Sequence, residues 1–177
     1  MMQGLAIRLI RCSRGLALVE FAMVAPVLLM LYLGGYVALD ALTCNRKVTL
    51  AARSMADLTS RYSAVSASDL SAIAGGATQI MWPYGSSTSI TVRISQVLVT
   101  SSTAATVVWS QGQNITARAT GASMAIPANL AANGSYLILG EVGYAYTPPA
   151  SYRGFGSVAL QQAIYMVPRI STSVAKS

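Results

Sequence analysis

Five carboxylates, Glu20, Asp40, Asp57, Asp69 and Glu141, supply the acid chemistry of this chain, and it contains no histidine. The commonest general base and metal ligand is therefore missing. The five acids show no paired spacing of the kind that two-carboxylate catalysis or a metal site requires. Serines are plentiful, but no Gly-x-Ser-x-Gly elbow exposes one as a nucleophile. Gly75-Gly76 and Gly154-Phe155-Gly156 read as loops, because no Gly-Lys-Ser/Thr follows either of them to cradle a phosphate. Enzymatic activity, a metal and a cofactor are not expected.

Glu20 is the exception in placement. It is the one charge in residues 16–39, a run of 24 apolar or small residues preceded by Gly15 and by a basic leader with Arg8, Arg11 and Arg14. A lone charge at the centre of a membrane helix costs roughly 2.5–3.5 kcal/mol, so this one calls for a reason. At 1.5 Å per residue the run is about 36 Å long, enough to cross roughly 30 Å of hydrocarbon with some tilt. Pro26 inside it predicts a kink. Gly34-Gly35 is a second weak point, with Tyr32 and Tyr36 near the outer interface. The leader cations orient such a segment with its N-terminus in the cytoplasm. A cleaved secretory signal fits poorly, since no two of Ala17, Ala22, Ala25, Ala38 and Ala41 are separated by a single residue and the run exceeds the usual apolar core. A plain signal anchor needs only the basic flank and the length, and leaves Gly15 and Glu20 unexplained.

Composition narrows the class further. The chain has 177 residues, 54% hydrophobic and 10% charged, against about 25% charged residues in ordinary soluble domains. Its net charge of +7 does not mark a nucleic-acid binder, because the cations are dispersed and no pair longer than Arg46-Lys47 occurs. Cys12 and Cys44 are the only cysteines, so no disulfide framework is available. Loss of the leader would leave Cys44 alone, either as a small helix-face residue or as one half of an intersubunit disulfide.

The helix is expected to continue beyond the apolar run. Ala41, Cys44, Val48, Ala51, Met55, Leu58 and Tyr62 alternate spacings of three and four, with Asp40, Arg46, Lys47, Arg53, Asp57 and Arg61 on the remaining positions. This seam can pack on the chain's own C-terminal part, on neighbouring subunits, or on both. Ser66 or Ser68 can cap a short helix over residues 69–74 that Gly75-Gly76 would end. Strands are expected over residues 88–99, 106–109, 115–118, 136–146 and 160–167, with a turn at residues 110–114 and a bulge at Gly140 or Gly143. The sum is α+β: a long N-terminal transmembrane helix followed by a small antiparallel sheet. The expected divisions are 1–15, 16–62 and 63–177.

The run Arg14-Gly15, Leu18-Val19-Glu20-Phe21-Ala22 and Ala25-Pro26 ahead of a long helix resembles the type IV prepilin processing site. Within that group the chain is similar to the TadE-like minor pilins, or pseudopilins, of tight-adherence (Tad/Flp) pili. Val142-Gly143-Tyr144-Ala145-Tyr146-Thr147-Pro148 and Met166-Val167-Pro168-Arg169 resemble that family's closing strands. The resemblance implies cleavage by a prepilin peptidase between Gly15 and Leu16, and a role for Glu20 and Phe21 in assembly. The new amine of a neighbouring Leu16 would be the partner of Glu20. It implies residues 1–15 as the leader, residues 63–177 as a periplasmic or extracellular domain, other pilin subunits and inner-membrane lipid as partners, and adhesion as the output. Major pilins of these systems are much shorter and often place a tyrosine soon after Glu-Phe, which points to the minor class. The alternative is a signal-anchored periplasmic binding module.

Overall fold

The computed structural model describes residues 13–86, 88–128, 130, 132–148 and 156–177. Most of the expected leader, with Arg8, Arg11 and Cys12, lies outside the described residues, as does most of Gly154-Phe155-Gly156. The chain forms two compact units, Met1–Asp40 and Ala41–Ser177. Helix α1, Ser13–Ser60, contributes to both and is helical through Pro26 and through Gly34-Gly35.

In the second unit the predicted seam is the inner face of α1. Cys44, Val48, Ala51 and Met55 are buried, but Leu58 and Tyr62 are not. The buried row turns instead through Ala52, Ala56, Thr59 and Ser60. Small residues dominate it because the sheet lies very close: a Cβ on Gly140 would stand 2.7 Å from the Ala52 carbonyl oxygen and 3.1 Å from the Ala56 Cβ. Gly140 is thus a contact point for the helix and not the bulge its sequence suggests.

Helix α2, Ala67–Met81, starts with a capping box. The Ser66 hydroxyl accepts from the Asp69 N–H, and the Asp69 carboxylate accepts from the Ser66 N–H. It does not stop at Gly75-Gly76, contrary to the expected end there. Glycine in a helix interior costs about 1 kcal/mol relative to alanine. The buried stripe Leu70, Ile73 and Ala74 continues beyond that point through Ala77 and Met81, and this burial outweighs the cost.

The main sheet has five strands in the order β4-β3-β2-β5-β6, all antiparallel. They are β2 Ile90–Val99, β3 Ala104–Gln113, β4 Ser123–Ala125, β5 Tyr136–Tyr146 and β6 Val158–Met166. Two expectations fail around β3. Ser110-Gln111-Gly112-Gln113 continue the strand, paired with β2 through Gln113 opposite Val92, so no turn lies there. Residues 115–118 are not a strand; the chain leaves β3 at Asn114, which has φ 57°, and crosses back over Gly112. A Cβ on Gly112 would meet the Ile115 carbonyl at 2.0 Å, so only glycine permits that crossing.

The register between β2 and β3 shifts between Gln96 and Val97, so that Gln96 faces Trp109 and Val97 faces Val107. Skipping Val108 sends Trp109 and Val107 into different cores. Trp109 joins Ile90, Val92, Ile94, Ile138, Val142 and the helices. Val107 joins Val97, Val99, Ala105, Ile126 and Leu137 on the other side. A short parallel pair, β1 Ala64–Val65 with β7 Ala175–Lys176, returns the C-terminus to the end of α1.

Candidate functional site

Leucine, alanine, valine and methionine favour the helix over residues 13–40. Gly15 and Leu16 lie in the first turn of α1, and Glu20 and Phe21 follow one turn later, both exposed. Phe21 is 67% accessible, and Leu18, Met23, Met30, Leu31 and Tyr32 are comparably open. The apolar window of this helix is long enough to cross a membrane, and no part of it is buried within the chain. It is apolar on every face, which suits lipid or a bundle of like helices and not a one-sided contact. Among the described residues no ion pair engages Glu20.

The second unit carries one cluster of charges on the outer sheet face and another around Asp57, which pairs with Arg61 and Arg169. Glu141 accepts from Arg93 Nε at 2.7 Å and Nη2 at 3.0 Å, and from Arg118 Nη2 at 2.8 Å. Burial raises the Glu141 pKa, but the two guanidiniums together outweigh it and hold the carboxyl below its ordinary value. Burial, then the negative charge of Glu141, pushes the Tyr165 phenol up. This is a buttress, since it fixes the crossing loop to the sheet through Arg118 and presents no free nucleophile. Sequence reasoning missed it. The only signal was that Arg93 and Glu141 occupy outward positions of strands whose pairing the sequence does not disclose.

Two further anchors were also missed. The Trp109 indole N–H donates to the Val174 carbonyl, and the Val174 N–H donates to Gln96 Oε1, each at 2.7 Å. Lys47 Nζ donates to the carbonyls of Trp82 and Ile80. A Ser-x-x-Lys spacing does occur at Ser173 and Lys176, but Lys176 Nζ sits on Gln111 Oε1 at 2.9 Å and on the Ser110 carbonyl, as a strand-end tether. The Asn114 amide donates to the Ile90 carbonyl at 2.7 Å and so closes the loop that leaves β3. Cys44 is fully buried in the core, which favours packing over an intersubunit disulfide. Among the described residues no cluster of three or more Cys, Asp or Glu could hold a metal.

The model of the family described as TadE-like protein matches residues 15–57 of this chain. The match covers Gly15, Leu16, Glu20, Phe21 and the seam through Met55, and ends before the sheet, so the closing strands lie outside it. No curated protein and no solved structure matches the chain. The family is one of pilin-like components associated with Tad pili. In its N-terminal helix, this chain is TadE-like.

Proposed function

We propose that this protein is a minor pilin-like subunit of a Tad-type pilus, made as a prepilin with residues 1–15 as leader. A prepilin peptidase cuts between Gly15 and Leu16. The helix then holds the subunit in the inner membrane, with its N-terminus cytoplasmic and residues 63–177 in the periplasm, until it joins the pilus. There the domain serves assembly or adhesion. The observation that carries this reading is Glu20: a carboxylate exposed on a helix whose other faces are apolar and uncovered. Packed among like helices, it would be buried and need a cation, and the amine released at a neighbouring Leu16 is one turn from the corresponding position.

The deciding measurement is the intact mass and N-terminal sequence of the protein from membranes with and without the peptidase. A mature start at Leu16 only when the peptidase is present supports the proposal. A chain that keeps Met1 in both cases, while still membrane-bound, supports a signal-anchored binding module instead.

A further inference from the structure

Among the described residues, the turn after α2 presents the most exposed aromatic ring of the second unit. Trp82 is 72% accessible, its indole largely uncovered by the described residues. A tryptophan side chain is large, about 150–250 Å² of mostly apolar surface, so holding it in water is unfavourable unless something else receives it. The turn beneath it is firmly braced. Lys47 Nζ donates to the Trp82 carbonyl at 2.8 Å, Tyr144 Oη donates to the Tyr84 carbonyl at 2.5 Å, and the Tyr84 N–H returns to the Met81 carbonyl at 2.8 Å. Gly85 is packed under Ile90, where a Cβ would stand 2.5 Å from Ile90 Cδ1. The indole is therefore held outward by a fixed frame.

Its place in the unit identifies what receives it. The unit begins at Ala41, immediately after the apolar run ends in sequence at Leu39 and Asp40. Lys47, which grips the Trp82 carbonyl, is only about 9 Å of helical rise beyond Ala41. The headgroup layer on each side of a bilayer is roughly 5–8 Å deep. Arg46 is exposed beside Lys47 and gives this end of the unit two adjacent cations, complementary to anionic headgroups. Tryptophan with flanking cations at the point where a chain leaves hydrocarbon is the composition of a membrane–water interface.

We infer that Trp82 is a second membrane contact, inserting its indole among phospholipid headgroups and seating the domain on the bilayer surface. This rests on the membrane-anchored reading above. The receiving surface is a phospholipid bilayer, with Arg46 drawn to its anionic headgroups and Lys47 fixing the turn. In an assembled pilus the contact would be lost, so it belongs to the subunit while it is still in the membrane.

The test uses the full-length chain reconstituted in phosphatidylcholine–phosphatidylglycerol vesicles, with and without bromine on the upper acyl chain. The emission of the wild type minus that of Trp82→Phe isolates Trp82 from the buried Trp109. Loss of most of this difference signal in brominated vesicles, with a blue shift in plain ones, is the expected result. A difference signal equal in both vesicles, while the chain floats with them, would overturn this inference and leave the membrane anchor standing. Failure of both variants to float with vesicles would overturn the anchor itself, and this inference with it.

Discussion

Lys47 on α1 caps a helix that is not its own. Its ammonium reaches the carbonyl oxygens of Ile80 at 3.3 Å and Trp82 at 2.8 Å, at the C-terminal end of α2. The last turn of α2 contains no basic residue, so the cation favoured at that end comes from the neighbouring helix. Lys47→Met should keep the packing of the stem and lose the cap, costing about 1 kcal/mol. In detergent-solubilised full-length protein this would appear as a melting temperature lower by a few degrees. An unchanged melting temperature would mean that water satisfies these carbonyls equally well.

Glycines at two sites should respond to alanine in opposite directions. Gly140→Ala places a methyl group against the Ala52 carbonyl and the Ala56 side chain, neither of which is a flexible end, and should cost about 2 kcal/mol or more. Gly75→Ala and Gly76→Ala meet no atom within 4 Å, in the interior of α2. Each should stabilise by about 0.5–1 kcal/mol through helix propensity and a less flexible unfolded chain. Urea midpoints of the three variants compare the two effects directly.

That contrast also marks what sequence could and could not disclose. The long helix, the strand over residues 136–146 and the parity of Ile138, Val142 and Tyr146 follow from periodicity, which the chain states outright. The seam of Cys44, Val48, Ala51 and Met55 packs as its spacing predicts, but several other judgements that depended on a neighbour distant in sequence failed. Gly75-Gly76 reads as a stop unless one knows that Ala77 and Met81 have a core to enter. Ser110-Gln111-Gly112-Gln113 reads as a turn unless β2 is known to pair with it. Gly140 reads as a bulge unless α1 is known to press on it, and Lys47 reads as a solvated charge unless α2 ends beside it.

Gln96 and Trp109 hold Val174 from both of its backbone groups, although β7 itself is only two residues long. Trp109→Phe leaves a buried carbonyl with no donor, and Gln96→Met leaves a buried N–H with no acceptor. Each should cost about 1–3 kcal/mol. Because both act through Val174, the double variant should cost less than the sum, which a double-mutant cycle in urea measures. Strict additivity would show that the two bonds are independent.

Acid should weaken the second unit through Glu141. Its folded-state pKa is lowered, so the stabilisation it gives is present above the ordinary carboxylate value of 4.5 and is lost as pH falls through the lower folded-state value. Asp69, lowered by its hydrogen bonds with Ser66, changes in the same direction. The wild-type urea midpoint should therefore drop on acidification below about pH 4.5. Glu141→Gln should be less stable at neutral pH by about 1–2 kcal/mol and should lose part of the acid dependence, with Asp69 supplying the remainder. An identical pH profile in the variant would assign the acid sensitivity to other carboxylates.

On the proposed function, substitution of Glu20 should separate processing from assembly. The side chain is exposed and lies in the first unit, so Glu20→Ala should leave the melting temperature of the second unit unchanged. The proposed cleavage lies at Gly15–Leu16, four residues from Glu20 at its nearer side, and should proceed normally in this variant, with the same mature start at Leu16 as wild type. Incorporation into pili should fall sharply, because the amine of a neighbouring Leu16 would be buried in the packed helices without its counter-charge, a loss worth several kcal/mol per subunit in apolar surroundings. Glu20→Gln should fail similarly, since an amide fits the space but not the charge. Gly15→Ala is the complementary variant, expected to block cleavage and retain the leader. Normal assembly of Glu20→Ala would remove the carboxylate from the mechanism, and only apolar packing of the helix would then remain to hold the subunit in a filament.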